Sequence, residues 1–322
     1  MRKTLKYKIL ICGVGSIGER HIKNLLSLGY QNIILYRKKK LPLRNIKNDF
    51  PIFTSLKKAL AQKPDVAFIC NPTHLHIQTA IECAQNGCDL FIEKPLGHKF
   101  EDCIELKKIL KKNKQKAMVG YMSRFHPCLI KGREWIENDK IGKVIFARTQ
   151  WGEYLPDWHP WEDYRLSYAA RKNMGGGPSL TLSHEIDTML WYFGKVNIVK
   201  GLPNYNSELD ISTEHSIDLL LSFKSGVTAN IHLDYVQQMP TRIMEIIGTK
   251  GKILFDYYKN QISLKQNSSK KIRSKKLDSF KRNDLFISEV KYFFKCIKED
   301  KNPVPSIDIG SEVVKIALLS LK

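Results

Sequence analysis

Two residues have side chains suited to moving a proton at a carbon–oxygen bond. Lys94 follows the short apolar run Asp89–Ile92 and precedes Pro95. An ammonium group held by that rigid turn could polarise or protonate a carbonyl oxygen. His184 carries imidazole, the side chain that titrates nearest neutral pH, as a general base for alcohol oxidation requires. Taken alone, each has a structural alternative: a rigid Lys-Pro turn, and a hydrogen-bonded core histidine.

Lys94 lies in a part of the chain where short apolar strands alternate with helices. The predicted strands are Tyr7–Cys12, Asn32–Tyr36, Asp65–Cys70, Asp89–Ile92 and Lys116–Tyr121. This alternation predicts a parallel sheet covered by helices on both faces. Because Asn71–His76 and Glu93–Pro95 follow two of these strands, we expect them at the carboxyl edge, where open α/β sheets bind ligands.

A glycine motif stands between the first strand and the first helix. In such a G-x-G-x-x-G pattern the glycines allow a tight turn, close approach of a pyrophosphate, and packing of helix on strand. The pyrophosphate then meets the helix N-terminus. The motif predicts a dinucleotide-binding Rossmann domain whose cofactor contacts include Gly13, Gly15, Ser16, Ile17 and Gly18.

The end of the second strand bears on the choice of dinucleotide. NAD enzymes usually carry an acid there for the ribose hydroxyls, whereas this chain has Tyr36-Arg37-Lys38-Lys39. A guanidinium group suits a 2′-phosphate, so we favour NADP over NAD and predict Arg37 as a contact. An exposed turn residue is the alternative for Arg37.

The second part of the chain has another pattern. Strand-like runs follow one another from Val196 to Phe255 with no helix between them, which predicts a mostly antiparallel sheet in an α+β domain. The predicted fold is α/β, with an N-terminal doubly wound parallel sheet and this C-terminal α+β domain. We assign residues 1–122 to dinucleotide binding and 123–322 to catalysis, substrate and assembly. The last helices are candidates for packing back onto the Rossmann domain.

A glycine run and an aromatic loop surround His184 in sequence. Gly175–Gly177 precedes a predicted helix, Pro178–Phe193, in which a spacing of three puts Thr181, His184 and Asp187 on one face. The loop 151–165 is dense in tryptophan, tyrosine and acids, a composition that suits a sugar. A rigid loop packed on the second sheet is the alternative. The predicted substrate contacts from this region are Trp158, Tyr164, Arg165, Arg171, Thr181 and His184. Arg171 suits a carboxylate or diphosphate.

Composition excludes several classes of protein. The charge of +21 raises the question of nucleic acid or an anionic membrane, but the basic stretch Lys270–Arg282 has no interleaved aromatics, so we interpret it as solvated surface. No apolar run is long enough to span a membrane or to form a signal peptide. Seven scattered cysteines predict reduced thiols and no metal site. We therefore expect a cytoplasmic protein that binds neither nucleic acid nor membrane.

Five motifs in order carry a family resemblance. Together they resemble the glucose-fructose oxidoreductase, inositol dehydrogenase and MocA (Gfo/Idh/MocA) family over Ile9 to about Gly194. The motifs are GVGSIG, NPTHLH, EKP, GYMSRFHP and GGGPSLTLSHEIDTMLWYFG. The resemblance implies a second domain whose open sheet builds a homodimer or homotetramer. It also implies that Lys94 is catalytic and that Lys94-Pro95 is a cis peptide.

The resemblance further assigns site residues. Those implied to line the nicotinamide ribose are Asn71, Pro72, His76 and Glu93, and those implied near cofactor or substrate are Tyr121 and Arg124. The departure is Thr181, which stands where many members carry an aspartate that orients the histidine or binds substrate. Asp187 and Glu185 are the acids that could compensate.

The predicted function follows from these residues and the resemblance together. We expect an NAD(P)-dependent oxidoreductase that moves a hydride to or from a hydroxyl or keto carbon of a sugar, sugar acid or nucleotide sugar, in a role such as surface-glycan synthesis. Lys94 and His184 would handle the hydroxyl proton. The alternative is a dinucleotide-binding sensor or scaffold of the same fold without turnover, which Thr181 would favour.

Overall fold

The computed structural model describes residues 7–38, 43, 44, 46 and 49–322. The described residues up to Tyr121 form one compact unit with Phe286–Val314, and Met122–Leu285 with Lys315–Lys322 form the other. Among the described residues, no helix combines the length and the apolar character needed to cross a membrane.

The first unit is built on a six-stranded parallel sheet. Its strands are β1 Ile9–Cys12, β2 Ile33–Tyr36, β3 Ile52–Phe53, β4 Val66–Ile69, β5 Asp89–Ile92 and β6 Ala117–Val119. They lie in the order β3-β2-β1-β4-β5-β6, all parallel. Every residue of β1 and β4 is buried, as expected for central strands covered on both faces.

The second unit contains an eight-stranded sheet. Its strands are β7 Val144–Tyr154, β8 Val196–Asn204, β9 Ser216–Phe223, β10 Thr228–Asp234, β11 Val236–Gly248, β12 Gly251–Asp256, β13 Gln261–Gln266 and β14 Ile272–Lys276. They lie in the order β14-β13-β12-β11-β7-β10-β9-β8. All neighbours are antiparallel except β7 and β10, so the predicted fold class is confirmed.

The described residues form nine α-helices. They are α1 Ser16–Ser27, α2 Leu56–Leu60, α3 His76–Gln85, α4 Phe100–Asn113, α5 Pro127–Glu137, α6 Pro178–Thr181, α7 His184–Phe193, α8 Asn283–Lys298 and α9 Ile307–Leu319. The single helix expected over Pro178–Phe193 is wrong, because it breaks between α6 and α7. The hydroxyl of Thr181 donates to the carbonyl oxygen of Gly177 four residues earlier, a bond that bends helices.

The basic stretch Lys270–Arg282 contributes an edge strand. β14, with the sequence IRSKK, pairs on one side only, with β13. Lysines on an edge strand discourage pairing with another chain. This gives the charge of the stretch a structural reason.

Candidate functional site

The glycine motif forms an open turn between β1 and α1. Gly13 has a φ of +94°, which side chains other than glycine rarely adopt, and a Cβ on Gly18 would lie 2.2 Å from the carbonyl oxygen of Gly13. A Cβ on Gly15 would meet no atom within 4 Å, and no side chain of the described residues caps α1. Open space before uncapped helix amides, bordered by Ser16 and Ile17, fits a dinucleotide pyrophosphate.

His76 ties together the loops that follow β4 and β5. Its Nδ1 lies 2.9 Å from the carbonyl oxygen of Pro95, and its Nε2 lies 2.7 Å from that of Asn71. Burial lowers the pKa of His76 and so favours the neutral ring, which has one N–H and can donate to only one of these two carbonyl oxygens. An imidazolium ring would donate to both. Asn71 in turn donates from Nδ2 to Thr79, and Pro72 is exposed. His76 therefore fixes the spacing of two loops predicted to line the cofactor.

Glu93 and Lys94 follow directly after β5, and the Lys94-Pro95 peptide is cis, as the resemblance implied. The Glu93 carboxylate is buried, with Oε1 2.7 Å from Nε2 of His21 and Oε2 accepting the backbone N–H of Lys94 at 3.2 Å. Burial opposes ionisation, yet the hydrogen bond from His21 and the charge of Lys94 hold the pKa of Glu93 below its usual value. An anionic Glu93 thus fixes the backbone of Lys94.

Arg37 is the first residue after β2. Its backbone N–H donates to the carbonyl oxygen of Phe53 at 3.1 Å, and its side chain is partly exposed. Lys39 and Lys40, which follow Arg37 in the sequence, lie outside the described residues.

Tyr121, predicted to contact substrate, is fully buried at the end of the first segment of the first unit.

In the second unit the glycine run makes room for a buried carboxyl group. Gly177 has a φ of +96°, and a Cβ there would lie 2.5 Å from Oε1 of Glu214. Glu214 accepts from the backbone N–H of Ser179 at 3.0 Å and from its hydroxyl at 2.6 Å. Burial raises the pKa of Glu214 in spite of these two bonds. Glu214 therefore sets where α6 begins, three residues before Thr181 and six before His184.

Thr181 and Trp158 meet around a tyrosine that no sequence motif singles out. The Thr181 hydroxyl bonds to that of Tyr235, which is fully buried. The Trp158 ring makes a T-shaped contact with Tyr235 at a centroid distance of 5.4 Å. Nε1 of Trp158 is buried and has no acceptor among the described residues, so it could donate to a ligand. His184 begins α7, is buried, and lies 6.0 Å from the Trp151 ring.

The acids suggested as substitutes for the missing aspartate are held in ion pairs. Asp187 accepts from Nε and Nη2 of Arg124 at 2.9 and 2.7 Å. Glu185 accepts from Nε of Arg242 at 2.5 Å and from the hydroxyl of Thr149 at 3.0 Å. The Arg124 guanidinium, expected near cofactor or substrate, therefore makes a bidentate contact inside the second unit.

The remaining predicted substrate residues form a group of short turns. Nε and Nη2 of Arg165 donate to Asp163 at 2.8 and 2.7 Å, and the Arg165 side chain is exposed. Nε of Arg171 donates to the carbonyl oxygen of Arg165 at 3.1 Å. The Tyr164 hydroxyl accepts the backbone N–H of Asp210 at 3.3 Å. Tyr164, Arg165 and Arg171 thus lie together.

Sequence reasoning missed several buried polar residues. Those with the clearest structural roles are His21, Glu214, Tyr235, Arg242 and Glu289. A signal existed for Glu289, because it interrupts the apolar stripe of α8 between Phe286 and Phe293. Tyr235 and Arg242 lie in ordinary strand-like sequence, and nothing local marks them.

Comparison with known families identifies the architecture. Residues 7–121 match the model of an oxidoreductase family with an NAD-binding Rossmann fold, and residues 130–254 match the GFO/IDH/MocA C-terminal domain. The chain belongs to the Gfo/Idh/MocA oxidoreductase family. The resemblance carried by the five motifs is thereby confirmed.

Individual relatives of this Gfo/Idh/MocA protein are distant. It is 26% identical to a 2,7-anhydro-N-acetylneuraminate hydratase of Escherichia coli over 212 residues, 62% of this chain and 54% of that protein. It is 27% identical to a myo-inositol 2-dehydrogenase of Thermotoga maritima over 328 residues, 97% of this chain and 93% of that protein. The chain spans little more than half the length of the first curated relatives it matches.

Solved structures share the fold. A levoglucosan dehydrogenase in complex with NADH and levoglucosan superposes with a TM-score of 0.86 at 18% identity, covering 97% of this chain and 95% of that one. At that identity the likeness concerns the fold alone.

Proposed function

We propose that this protein is an NAD(P)-dependent dehydrogenase or reductase acting on a hydroxyl or keto carbon of a sugar, sugar acid or nucleotide sugar. The observation that carries the proposal is the open turn at Gly15, with Lys94 in the loop after β5, two strands away in the same sheet. A nicotinamide dinucleotide, when bound, supplies or accepts the hydride. The chain's own residues would bind the reactants and manage the proton.

Proton transfer falls to two residues. Lys94 has its backbone held by Glu93, whose carboxylate adds negative charge beside the ammonium group, so Lys94 can stabilise or protonate a substrate oxygen. His184 accepts or returns the hydroxyl proton as general base or acid. Thr181 has its hydroxyl engaged by Gly177 and Tyr235, so it orients a neighbouring tyrosine and does not replace an aspartate.

The substrate is best described as a carbohydrate carrying an anionic group. The relatives that are a 2,7-anhydro-N-acetylneuraminate hydratase and a myo-inositol 2-dehydrogenase support a sugar-like molecule. Trp158 offers an apolar ring face and a buried N–H donor, while Arg165 and Arg171 offer positive charge for a carboxylate or diphosphate. Such a substrate suits surface-glycan or nucleotide-sugar synthesis.

NADP is the proposed dinucleotide because Arg37 follows β2 where an acid would favour NAD. Arg37→Ala should raise the Kd for NADPH about tenfold and leave that for NADH within about twofold. Calorimetric titration measures both. Equal affinity of the wild-type protein for the two dinucleotides would remove the argument from Arg37.

We also propose that the outer face of the second sheet assembles the protein as a homodimer or homotetramer. In β9, Ile217, Leu219 and Leu221 are buried while Leu220 on the opposite face is 56% exposed. Other apolar side chains exposed on this sheet are Phe146, Ile198, Leu202 and Leu254. Large apolar side chains exposed together on one face of a sheet are typical of a surface that another chain covers.

Light scattering coupled to size exclusion tests the assembly. Leu220→Lys should shift the protein toward monomer, because a buried unpaired ammonium group opposes an apolar interface. Ile104→Lys on α4 is the matched control, since Ile104 is also an exposed aliphatic residue but lies in the first unit. A wild-type protein that is monomeric at micromolar concentration would contradict the proposal.

Enzymatic function is tested by fluorescence titration with NADPH and NADH, followed by nicotinamide absorbance with a panel of polyols, sugar acids and nucleotide sugars. Lys94→Ala and His184→Ala should each lower kcat at least about a hundredfold while the dinucleotide still binds. Lys99→Ala, an exposed lysine close to Lys94 in sequence, is the control. Tight dinucleotide binding without turnover on any substrate would favour the sensor or scaffold alternative. Absence of dinucleotide binding would overturn both, and reactivity with neutral polyols alone would exclude an anionic substrate.

A further inference from the structure

A buried pair of carboxyl groups lies in the first unit, and one of the two belongs to Glu93, the residue before Lys94. Glu289 on α8, Glu93 after β5 and His21 on α1 each present one polar atom to the others, all within 4.8 Å. The His21 and Glu289 side chains are fully buried, and Glu93 is 6% exposed. Three elements that are distant in sequence therefore converge on one polar cluster inside the core.

The surroundings of this cluster are apolar. The His21 ring packs against Phe68 and Phe91 at centroid distances of 5.3 and 5.1 Å, and Phe91 packs against Phe293 from α8. Neither carboxyl oxygen of Glu289 has a hydrogen-bond partner among the described residues. Two ionised carboxylates in such a place would each lose hydration and would also repel each other.

The contacts decide which carboxyl group carries the negative charge. Glu93 has a hydrogen bond from His21, the backbone N–H of Lys94 and the nearby Lys94 charge, which together stabilise its anion. Glu289 has none of these, and burial and the charge of Glu93 raise its pKa well above the usual value. The thiol of Cys70, after β4, lies close to the same cluster, and burial and the charge of Glu93 raise its pKa. Among the described residues, none donates a hydrogen bond to Glu289 that would stabilise its anion.

We propose that Glu289 is retained as a neutral carboxylic acid and acts, through Glu93, as a positioning residue for Lys94. A neutral Glu289 lets the Glu93 anion remain buried between His21 and the Lys94 backbone. An ionised Glu289 would push Glu93 away from both contacts. The second half of this proposal, the effect on Lys94, rests on the proposed enzymatic function, whereas the protonation of Glu289 does not.

Thermal unfolding as a function of pH tests the protonation state. Because the pKa of Glu289 is raised on folding, its contribution to stability is complete below the unfolded-state value and is lost as pH rises through the folded-state value. Glu289→Gln keeps the shape and cannot ionise. Its Tm should match that of the wild type near about pH 4 and exceed it by several degrees near about pH 9. Glu105→Gln on α4, an exposed glutamate of the same unit, should show no such trend.

Infrared spectroscopy provides a direct signature. The wild-type protein at neutral pH should show the carbonyl stretch of a protonated carboxylic acid, which shifts in deuterium oxide and disappears in Glu289→Gln. Absence of that band would overturn the proposal. The proposal would also be overturned if the purified protein bound a stoichiometric divalent cation, because a metal ion would then neutralise the pair of carboxylates. In that case chelation should lower the Tm, and Glu289→Gln should be less stable than the wild type near about pH 9.

Turnover tests the positioning role. Glu289→Leu should lower kcat at least about tenfold with little change in KM, and Glu289→Gln should recover most of the loss. The wild-type kcat should fall at high pH as Glu289 ionises, and this fall should move or vanish in Glu289→Gln. Equal kcat and pH profiles in all three proteins would refute the positioning role. If no substrate turns over, the proposed enzymatic function fails, and the infrared and unfolding results still decide the state of Glu289.

Discussion

The ion pair between Arg124 and Asp187 makes it possible to test whether Arg124 stabilises the fold or binds a ligand. The resemblance implies a residue near cofactor or substrate, whereas the structure gives its guanidinium two hydrogen bonds to a carboxylate. Removing the guanidinium therefore tests whether Arg124 stabilises the second unit or binds a ligand. Arg124→Leu keeps apolar volume and deletes the charge.

The expected loss of stability is large because both partners are buried. The Arg124 and Asp187 side chains are 8% and 0% exposed. Deleting one partner of such a pair leaves an uncompensated buried charge, at a cost of about 3–5 kcal/mol. Domains are stable by only about 5–15 kcal/mol, so this removes much of the stability of the second unit. The paired substitutions Arg124→Leu and Asp187→Leu together should cost less than Arg124→Leu alone.

The pH dependence has a definite sign. Burial raises the pKa of Asp187 even with Arg124 present, and loss of Arg124 removes the interactions that lower it. In Arg124→Leu the carboxyl group can escape the penalty by taking up a proton at low pH. The destabilisation should therefore grow as pH rises from about 5 to about 8.

Tryptophan fluorescence during urea unfolding is a suitable assay, since all five tryptophans of the chain lie in the second unit. Trp191 also lies 5.7 Å from the Arg124 guanidinium carbon. Lys131→Leu, which breaks the exposed Lys131–Glu134 pair on α5, is the control and should change little. An Arg124→Leu protein with unchanged unfolding and weakened dinucleotide binding would refute the reasoning and restore the ligand-binding role.

Three glycine substitutions follow from the same geometry. Gly15→Ala adds a methyl group to open space, so the Tm should hold while the Kd for NADPH rises in a calorimetric titration. Gly18→Ala forces a Cβ against the Gly13 carbonyl oxygen, so both the Tm and the affinity should fall; an unchanged Tm would contradict the close approach of α1 to the turn after β1. Gly177→Ala meets the Glu214 carboxylate in a left-handed backbone, and tryptophan fluorescence should report a loss of at least about 1 kcal/mol.

Most of the first sheet could be predicted because its signals are local. β1, β4 and β5 are continuous apolar runs, and the glycine motif fixes where β1 ends and α1 begins. β3 escapes prediction because two residues give no periodicity. The basic sequence of β14 indicates solvated surface, yet backbone pairing with β13 needs no apolar side chain.

The second part of the site shows where pattern reasoning fails. A spacing of three places Thr181, His184 and Asp187 on one helix face, but that inference requires one continuous helix, and the chain breaks after Thr181. Thr181 carries the hydroxyl that bonds back to Gly177, so the residue that departs from the family pattern also takes part in the bend. Thr181 consequently lies on a different helix from His184 and Asp187, which both belong to α7.

Residues proposed to react and residues proposed to position them leave different traces in a sequence. Lys94 and the motif glycines lie at strand ends, where a short signature records them. Glu289 and Asp187 act on partners contributed by other elements, and only the fold brings Glu289 within reach of Glu93. The trace that Glu289 does leave is an ionisable residue on an otherwise apolar helix face, at a site where an unpaired charge would be costly. Such interruptions are therefore worth testing as positioning groups, even when no motif includes them.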